Sequence, residues 1–238
     1  MPNLNLCIKR YLVRAVLDEQ LDDVEYIGEH GFSLHQIQKF QLSALANKVG
    51  SEDYLRANYH GVVFESSDVL IRYVQPHEKD VVLFRGRMMQ LPYSGEAGIE
   101  VKIFSKDFKF RMDSESVLVD FFGITQCMVG ADVSDQVKTT DANFNRKFDV
   151  FCANEQAVDQ LLTPILMETL KQLHIKYDSI AFRFTENTLY VAIDSGENCF
   201  KRYPDQPIDY EAERRKLISE IDEIKMLVDI LNSGCQRR

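Results

Sequence analysis

Basic residues are scarce in this chain. Its 28 Lys and Arg face 37 Asp and Glu, a formal net charge of −9. Nucleic acid and anionic membrane both select a basic surface, so the balance excludes them as main partners. Cysteine is sparse too: five residues, at positions 7, 127, 152, 199 and 235, odd in number and without a CxxC pair. That pattern excludes a secreted disulfide scaffold or a zinc knuckle and fits a reducing cytoplasm. No uninterrupted apolar run approaches the ~20 residues of a membrane span. The N-terminal stretch lacks the apolar block and small-residue cleavage site of a signal peptide. The expectation is a soluble, cytoplasmic chain.

Catalytic signatures are missing as well. No glycine-rich phosphate loop occurs, and the five histidines show no HExxH or other ligand spacing. His174 falls at an expected helix C-terminus, where a positive charge suits the helix dipole. Gly31-Phe32-Ser33-Leu34-His35 lacks the second glycine of a nucleophile elbow. Asp141-Ala142-Asn143-Phe144-Asn145 begins like a calcium loop. Arg146 then stands where the turn glycine belongs, and Cys152 where a bidentate Glu should be. Neither a metal nor a cofactor is expected.

What the chain has is a core. Its 238 residues are 45% hydrophobic and include fifteen Phe, ample for one large domain or two small ones. Residues 136–201 carry the strongest patterns. Phe148 and Val150 share one face of a strand, and Phe151 opens the other. Asn154 caps the helical pattern that follows. Val158, Leu161, Leu162, Ile165, Leu166, Leu170 and Leu173 recur at helical spacing. Pro164 predicts a break there, with Thr163 capping a restarted helix. A hairpin follows. With Glu186-Asn187 as its turn, Phe184 faces Leu189, Phe182 faces Val191 and Ile180 faces Ile193, all six on one face.

Elsewhere the spacing predicts a helix over 6–17, a short strand over 24–27 and a second helix over 34–47. A hairpin over 54–74 is expected to turn at Ser66-Ser67, setting Glu65 unfavourably against Asp68. Read so, VVFESSDVLI aligns with FRFTENTLYV without a gap, a hint of duplication. Val81–Leu91 reads as a strand in which Gly86 marks a bulge or a close backbone approach. Ile99–Phe104 reads as another strand. Residues 105–135 have no decisive pattern, and Ser116–Phe122 fits helix or strand. Pro204 and Pro207 mark a linker before a long helix over 209–232.

The fold expected is α+β, with mostly antiparallel strands in hairpins, packed helices and a long C-terminal helix. Residues 1–203 form a single mixed domain, and 204–238 a linker and amphipathic helix. On that helix Leu217, Ile221, Ile224, Val228 and Leu231 follow a heptad spacing, widened by Ile218, Leu227 and Ile230. This seam either docks on the body or serves a protein partner or self-association. Arg85 and Arg87, flanking Gly86, are candidate anion contacts, against the plainer reading of two solvent-facing arginines. Three function classes follow: a non-enzymatic interaction or scaffold domain, favoured because no catalytic constellation is visible; a module binding a small ligand or anionic headgroup; and an enzyme whose site assembles from distant residues.

Several fragments together carry a resemblance. Ser51-Glu52-Asp53-Tyr54, Val82-Leu83-Phe84-Arg85-Gly86 and the Phe144–Phe200 run with its Leu161-Leu162-Thr163-Pro164 core resemble, in order and spacing, the bacterial family catalogued as domain of unknown function 3137. The resemblance spans Glu25 to Leu231. It implies a single mixed domain and brings no catalytic residues with it. Members of that family often carry a coiled coil and membrane-spanning segments before this domain, and neither pattern is found in this sequence.

Overall fold

The computed structural model describes residues 4–43, 47–74, 80–109, 136–197 and 209–235. The N-terminal half holds α1 (Leu4–Gln20), β1 (Asp22–Ile27), α2 (Leu34–Phe40), β2 (Lys48–Tyr59), β3 (Val62–Tyr73), β4 (Val81–Pro92) and β5 (Val101–Ser105). There follow β6 (Gln136–Val137), α3 (Ala142–Lys147), β7 (Phe148–Cys152), α4 (Glu155–Leu161), α5 (Pro164–Lys176), β8 (Ile180–Phe184), β9 (Thr188–Ile193) and α6 (Tyr210–Cys235). Among the described residues nine strands make one sheet, in the order β1-β2-β3-β4-β9-β8-β5-β7-β6. Every pairing is antiparallel. The fold is α+β.

Two apolar layers hold it. One face of the sheet packs beneath α1, α4, α5 and α6, through residues such as Phe64, Met89, Ile103, Val150, Phe182 and Val191. The other face packs against α2 and Phe108, through Val69, Ile71, Phe84, Phe104 and Phe151. The alternation of Phe148 and Val150 against Phe151 is this division read along one strand.

Local signals decide several elements. Asn154 accepts from the Gln156 N–H at the start of α4, and Thr163 accepts from the Leu166 N–H with Pro164 as first residue of α5. The chain thus breaks between two helices without an unsatisfied helix interior. β8 and β9 pair Ile180 with Ile193, Phe182 with Val191 and Phe184 with Leu189, and all six side chains lie in the helix-facing core.

Two expectations fail. Ser66-Ser67 is not a turn: β3 runs straight through it, and the turn between β2 and β3 is His60-Gly61. Both turn residues have positive φ, 52° and 80°, the geometry of a two-residue turn whose twist suits a hairpin. Asp68 therefore faces Arg87 on β4 and Glu52 on β2, not Glu65. The alignment with the later hairpin disappears with the turn. The second helix stops at Phe40 because Gln41 adopts a left-handed conformation, φ 49°. Its start is secured by a capping box between Ser33 and Gln36. Ser116–Phe122 and the Pro204–Pro207 linker lie outside the described residues.

α6 lies against α1, α5 and β3. Leu217, Ile221, Ile224, Val228 and Leu231 are buried, as is Leu227. They share a core with Leu12, Val13, Val16 and Leu17 of α1 and Leu170 and Leu173 of α5. Polar ties reinforce the docking. Tyr177 O–H donates to Glu223 at 2.9 Å, and Arg214 meets Glu19 of α1 at 2.5 Å. No helix among the described residues is long and apolar enough to cross a membrane.

Candidate functional site

A cleft of about 190 Å³ opens between the sheet and α6. Its floor is Arg87, whose side chain is only 4% exposed. The backbone around it explains why a charged side chain sits so deep. At Gly86 an ideal Cβ would lie 2.0 Å from the carbonyl oxygen of Ile193. Glycine lets the end of β9 press onto β4 there, the close approach that the sequence suggests. The turn after β9 is then pinned to Arg85: its backbone N–H donates to Asp194 Oδ1 at 3.1 Å, and its carbonyl accepts from the Gly196 N–H at 2.9 Å. This brings Ser195 and Glu197 to the cleft's edge.

α6 supplies the opposite wall. Lys216, Glu220 and Glu223 line the cleft, at helical spacing one position before the seam residues Leu217, Ile221 and Ile224. Burying the seam therefore turns this charged row toward the sheet. Tyr177, just beyond α5, closes one side.

The charges are unevenly held. Glu223 accepts from Tyr177 O–H and sits 3.2 Å from Lys176 Nζ. Glu220, with a side chain 23% exposed, faces Arg87 at 3.8 Å, an ion-pair distance beyond hydrogen-bond reach. Burial pushes the Glu220 carboxyl above its ordinary pKa; Arg87 pulls it down, the Glu223 charge adds to the rise, and Lys216 and Lys176 oppose it. Beneath the cleft Asp68 stands directly opposite Arg87 on β3 and is buried. Further along the same face, Tyr26 O–H donates to buried Asp53 at 2.5 Å. Burial, then the Asp53 charge, keeps that phenol protonated far above its usual range.

The chemistry on offer is charge recognition. A guanidinium presents a planar fork that matches an oxyanion through two parallel hydrogen bonds. Around it stand an ammonium, a weakly held carboxyl and the hydroxyl of Ser195. The volume is below the ~300–1,000 Å³ of a drug-sized site, so the cleft fits a group of a few atoms. A second depression, beside Tyr93, Gln160 and Thr185, measures about 20 Å³, the size of one water.

Of the residues singled out in the sequence, Arg87 lines the cleft. Arg85 shares its strand face but does not line it, and is half-buried. Neither is the plain solvent-facing arginine of the simpler reading. The five seam residues lie on the adjacent stripe of α6, in the core. Sequence reasoning missed Glu220, Tyr177 and Ser195. The charged row alongside the seam could have pointed to Glu220. Asp141, the false start of a calcium loop, caps α3 and accepts from Lys171 at 3.0 Å.

Fold and cleft together define an α+β domain with a charged recess between its sheet and its last helix. Residues 83–233 match the family described as "Protein of unknown function (DUF3137)", and the chain belongs to that family. The matched segment starts inside β4, later than the Glu25 at which the resemblance begins, and includes Arg87 and all of the cleft wall on α6. No curated protein matches the chain. Among solved structures, the crystal structure of the mycobacterial trehalose monomycolate transport factor A is similar at a TM-score of 0.44 and 9% identity, over 94% of this chain and 95% of that one.

Proposed function

We propose that this chain is a non-enzymatic binding domain, and that it takes a small polar ligand in the cleft between β4 and α6. One observation carries the reading: a guanidinium buried to 4% exposure forms the floor of a cleft that is open to solvent. Removing such a charge from water costs roughly several kcal/mol, and apolar side chains replacing the arginine together with the carboxylates it faces would hold β4 to α6 at least as well. A buried charge kept where a ligand can reach it is better explained by recognition than by packing.

In this reading α6 belongs to the body and builds the wall of the site. Its seam serves the chain's own core, so a protein partner would meet other surfaces. The scattered cysteines support a cytoplasmic setting.

The test uses Ser195→Trp. Ser195 is exposed at the cleft's edge, so an indole there closes the opening without disturbing the core. The chain contains no tryptophan, so the variant also carries a single fluorescent reporter. Thermal shift against a panel of small carboxylates, phosphates, sulfate and amino acids should show stabilisation of the parent that the variant loses. Equal shifts in both proteins, or none in either, would remove the cleft as the site.

A further inference from the structure

We propose that the ligand group is a sulfate- or phosphate-type oxyanion held by Arg87, and that its binding takes up one proton at Glu220. This rests on the reading of the cleft as the binding site.

The geometry assigns each charge a part. Arg87 lies between two carboxylates, Asp68 across the sheet and Glu220 at 3.8 Å on α6. Asp68 is buried in the strand beneath and cannot leave. Glu220 is the partner on the open side, where an arriving anion must contact the guanidinium. Three other charges face Glu220 across the cleft: Lys216 and Glu223 on its own helix, and Glu197 from the turn after β9. Lys176 reaches in from α5, but it is engaged with Glu223, which Tyr177 also holds. Glu223 is thus engaged on two sides, by a cation and by a hydroxyl. Glu220 meets Arg87 only at 3.8 Å, beyond hydrogen-bond reach, and its burial already favours the neutral form.

An oxyanion on Arg87 would be a like-charge neighbour of Glu220 in a partly desolvated recess. A like charge in such a recess disfavours the ionised carboxyl. Protonation resolves the conflict twice over. It removes the repulsion, and it turns Glu220 from an acceptor into an O–H donor that bonds the anion, a short charge-assisted contact. Lys216 adds a second cation at the rim. The overall step is association of protein, oxyanion and proton, with no bond of the ligand broken. Anion affinity then rises as pH falls.

Calorimetric titration of the full chain with sulfate tests this, since sulfate keeps its charge through the working range. Titrations in buffers of different ionisation enthalpy count the protons taken up. We expect close to one proton per sulfate at neutral pH, an affinity that weakens about tenfold for each pH unit above neutrality, and no binding to Ser195→Trp. Glu220→Gln, uncharged at every pH, should bind sulfate more tightly at neutral pH, with no proton uptake and no pH slope. If the parent binds sulfate in the cleft without proton uptake and matches Glu220→Gln, the role of Glu220 is wrong while the cleft stands. If sulfate does not bind, or Ser195→Trp binds it equally, the reading of the cleft itself fails. Sedimentation with phosphatidic acid vesicles separates two sources of the same chemistry. Pelleting of the parent but not of Ser195→Trp assigns the oxyanion to a lipid headgroup. Sulfate binding without pelleting assigns it to a free molecule.

Discussion

Asp68 and Arg87 stand directly opposite each other across β3 and β4, both buried, and the guanidinium continues to Glu220 at 3.8 Å. One cation thus pairs with a carboxylate on the helix layer and stands in strand register with a second on the sheet. Arg87→Met keeps the length of the side chain and removes the charge, leaving Asp68 buried opposite an apolar group. A loss of ~3–5 kcal/mol is expected, the range for removing one member of a buried ion pair. Adding Asp68→Asn should recover part of it, because the two changes share a partner. Urea denaturation of the single and double variants measures both. A single variant as stable as the parent would mean that the pair does not help hold the sheet.

Glu220 makes stability depend on pH in a stated direction. Burial raises its pKa, and the cations around it offset only part of the rise. A carboxyl whose folded pKa exceeds its unfolded one binds more protons when folded. Stability is therefore highest below the unfolded value, ~4.3 for Glu, and is lost as pH rises through the folded value. Glu220→Gln lacks this titration. The melting temperature of the parent should fall relative to the Gln variant from the acid side toward neutral pH. A difference that stays constant across that window would contradict the burial account.

Gly86 is expected to reject even a methyl group. A Cβ there would meet backbone, the Ile193 carbonyl at 2.0 Å and the Ser195 nitrogen at 2.9 Å. Backbone cannot rotate away as a side chain can, so β9 would have to move. Gly86→Ala should cost at least ~1–3 kcal/mol, the range for overpacking. It should also weaken ligand binding, since Ser195 forms the cleft's edge. Denaturation together with the sulfate titration reads both. Unchanged stability would mean that the strands separate here more readily than the close contact implies.

Ile221 is fully buried where α6 meets the core. Ile221→Asp places a carboxylate in that layer and should destabilise the whole domain by more than ~4 kcal/mol, the scale of a buried unpaired charge. Thermal melting followed by light scattering distinguishes two uses of the seam. A large loss of melting temperature with no dimer in the parent assigns the seam to the body. A parent dimer that becomes a folded monomer in the variant would assign it to a partner.

Local chemistry made part of this fold legible. The β8–β9 register and the Thr163-Pro164 break depend on neighbours within a few residues, so spacing and turn residues were enough. The β2–β3 hairpin departs from its sequence pattern for a physical reason. β3 is buried on both faces, and its inward positions Ser66 and Asp68 belong to the polar layer under α6. In sequence, that polar interruption looks like a turn, while the true turn carries only Gly61 as its mark. The end of α2 was illegible because Gln41 takes a left-handed conformation that its side chain does not announce. The cleft was nearly invisible. Arg87, Tyr177, Ser195 and Glu220 come from four separate elements or turns, and only the sheet order brings them together. Arg87 is marked in the sequence by the glycine beside it in a strand. Glu220 is marked only by its place beside the seam.

The sheet order also bears on how the chain is assembled. β9 sits between β4 and β8, yet it is made long after β4, and Leu91 finds its partner only when Leu189 arrives. Without β9, β4 would be an open edge rich in Val, Leu, Phe and Met. An apolar edge waiting for its neighbour is a template for pairing between chains. Arg85 and Arg87 lie on that strand, and charges on a waiting edge are what discourage such pairing. The arginine that floors the cleft thus also puts a charge on the strand whose second neighbour, β9, comes last of the described strands in the chain.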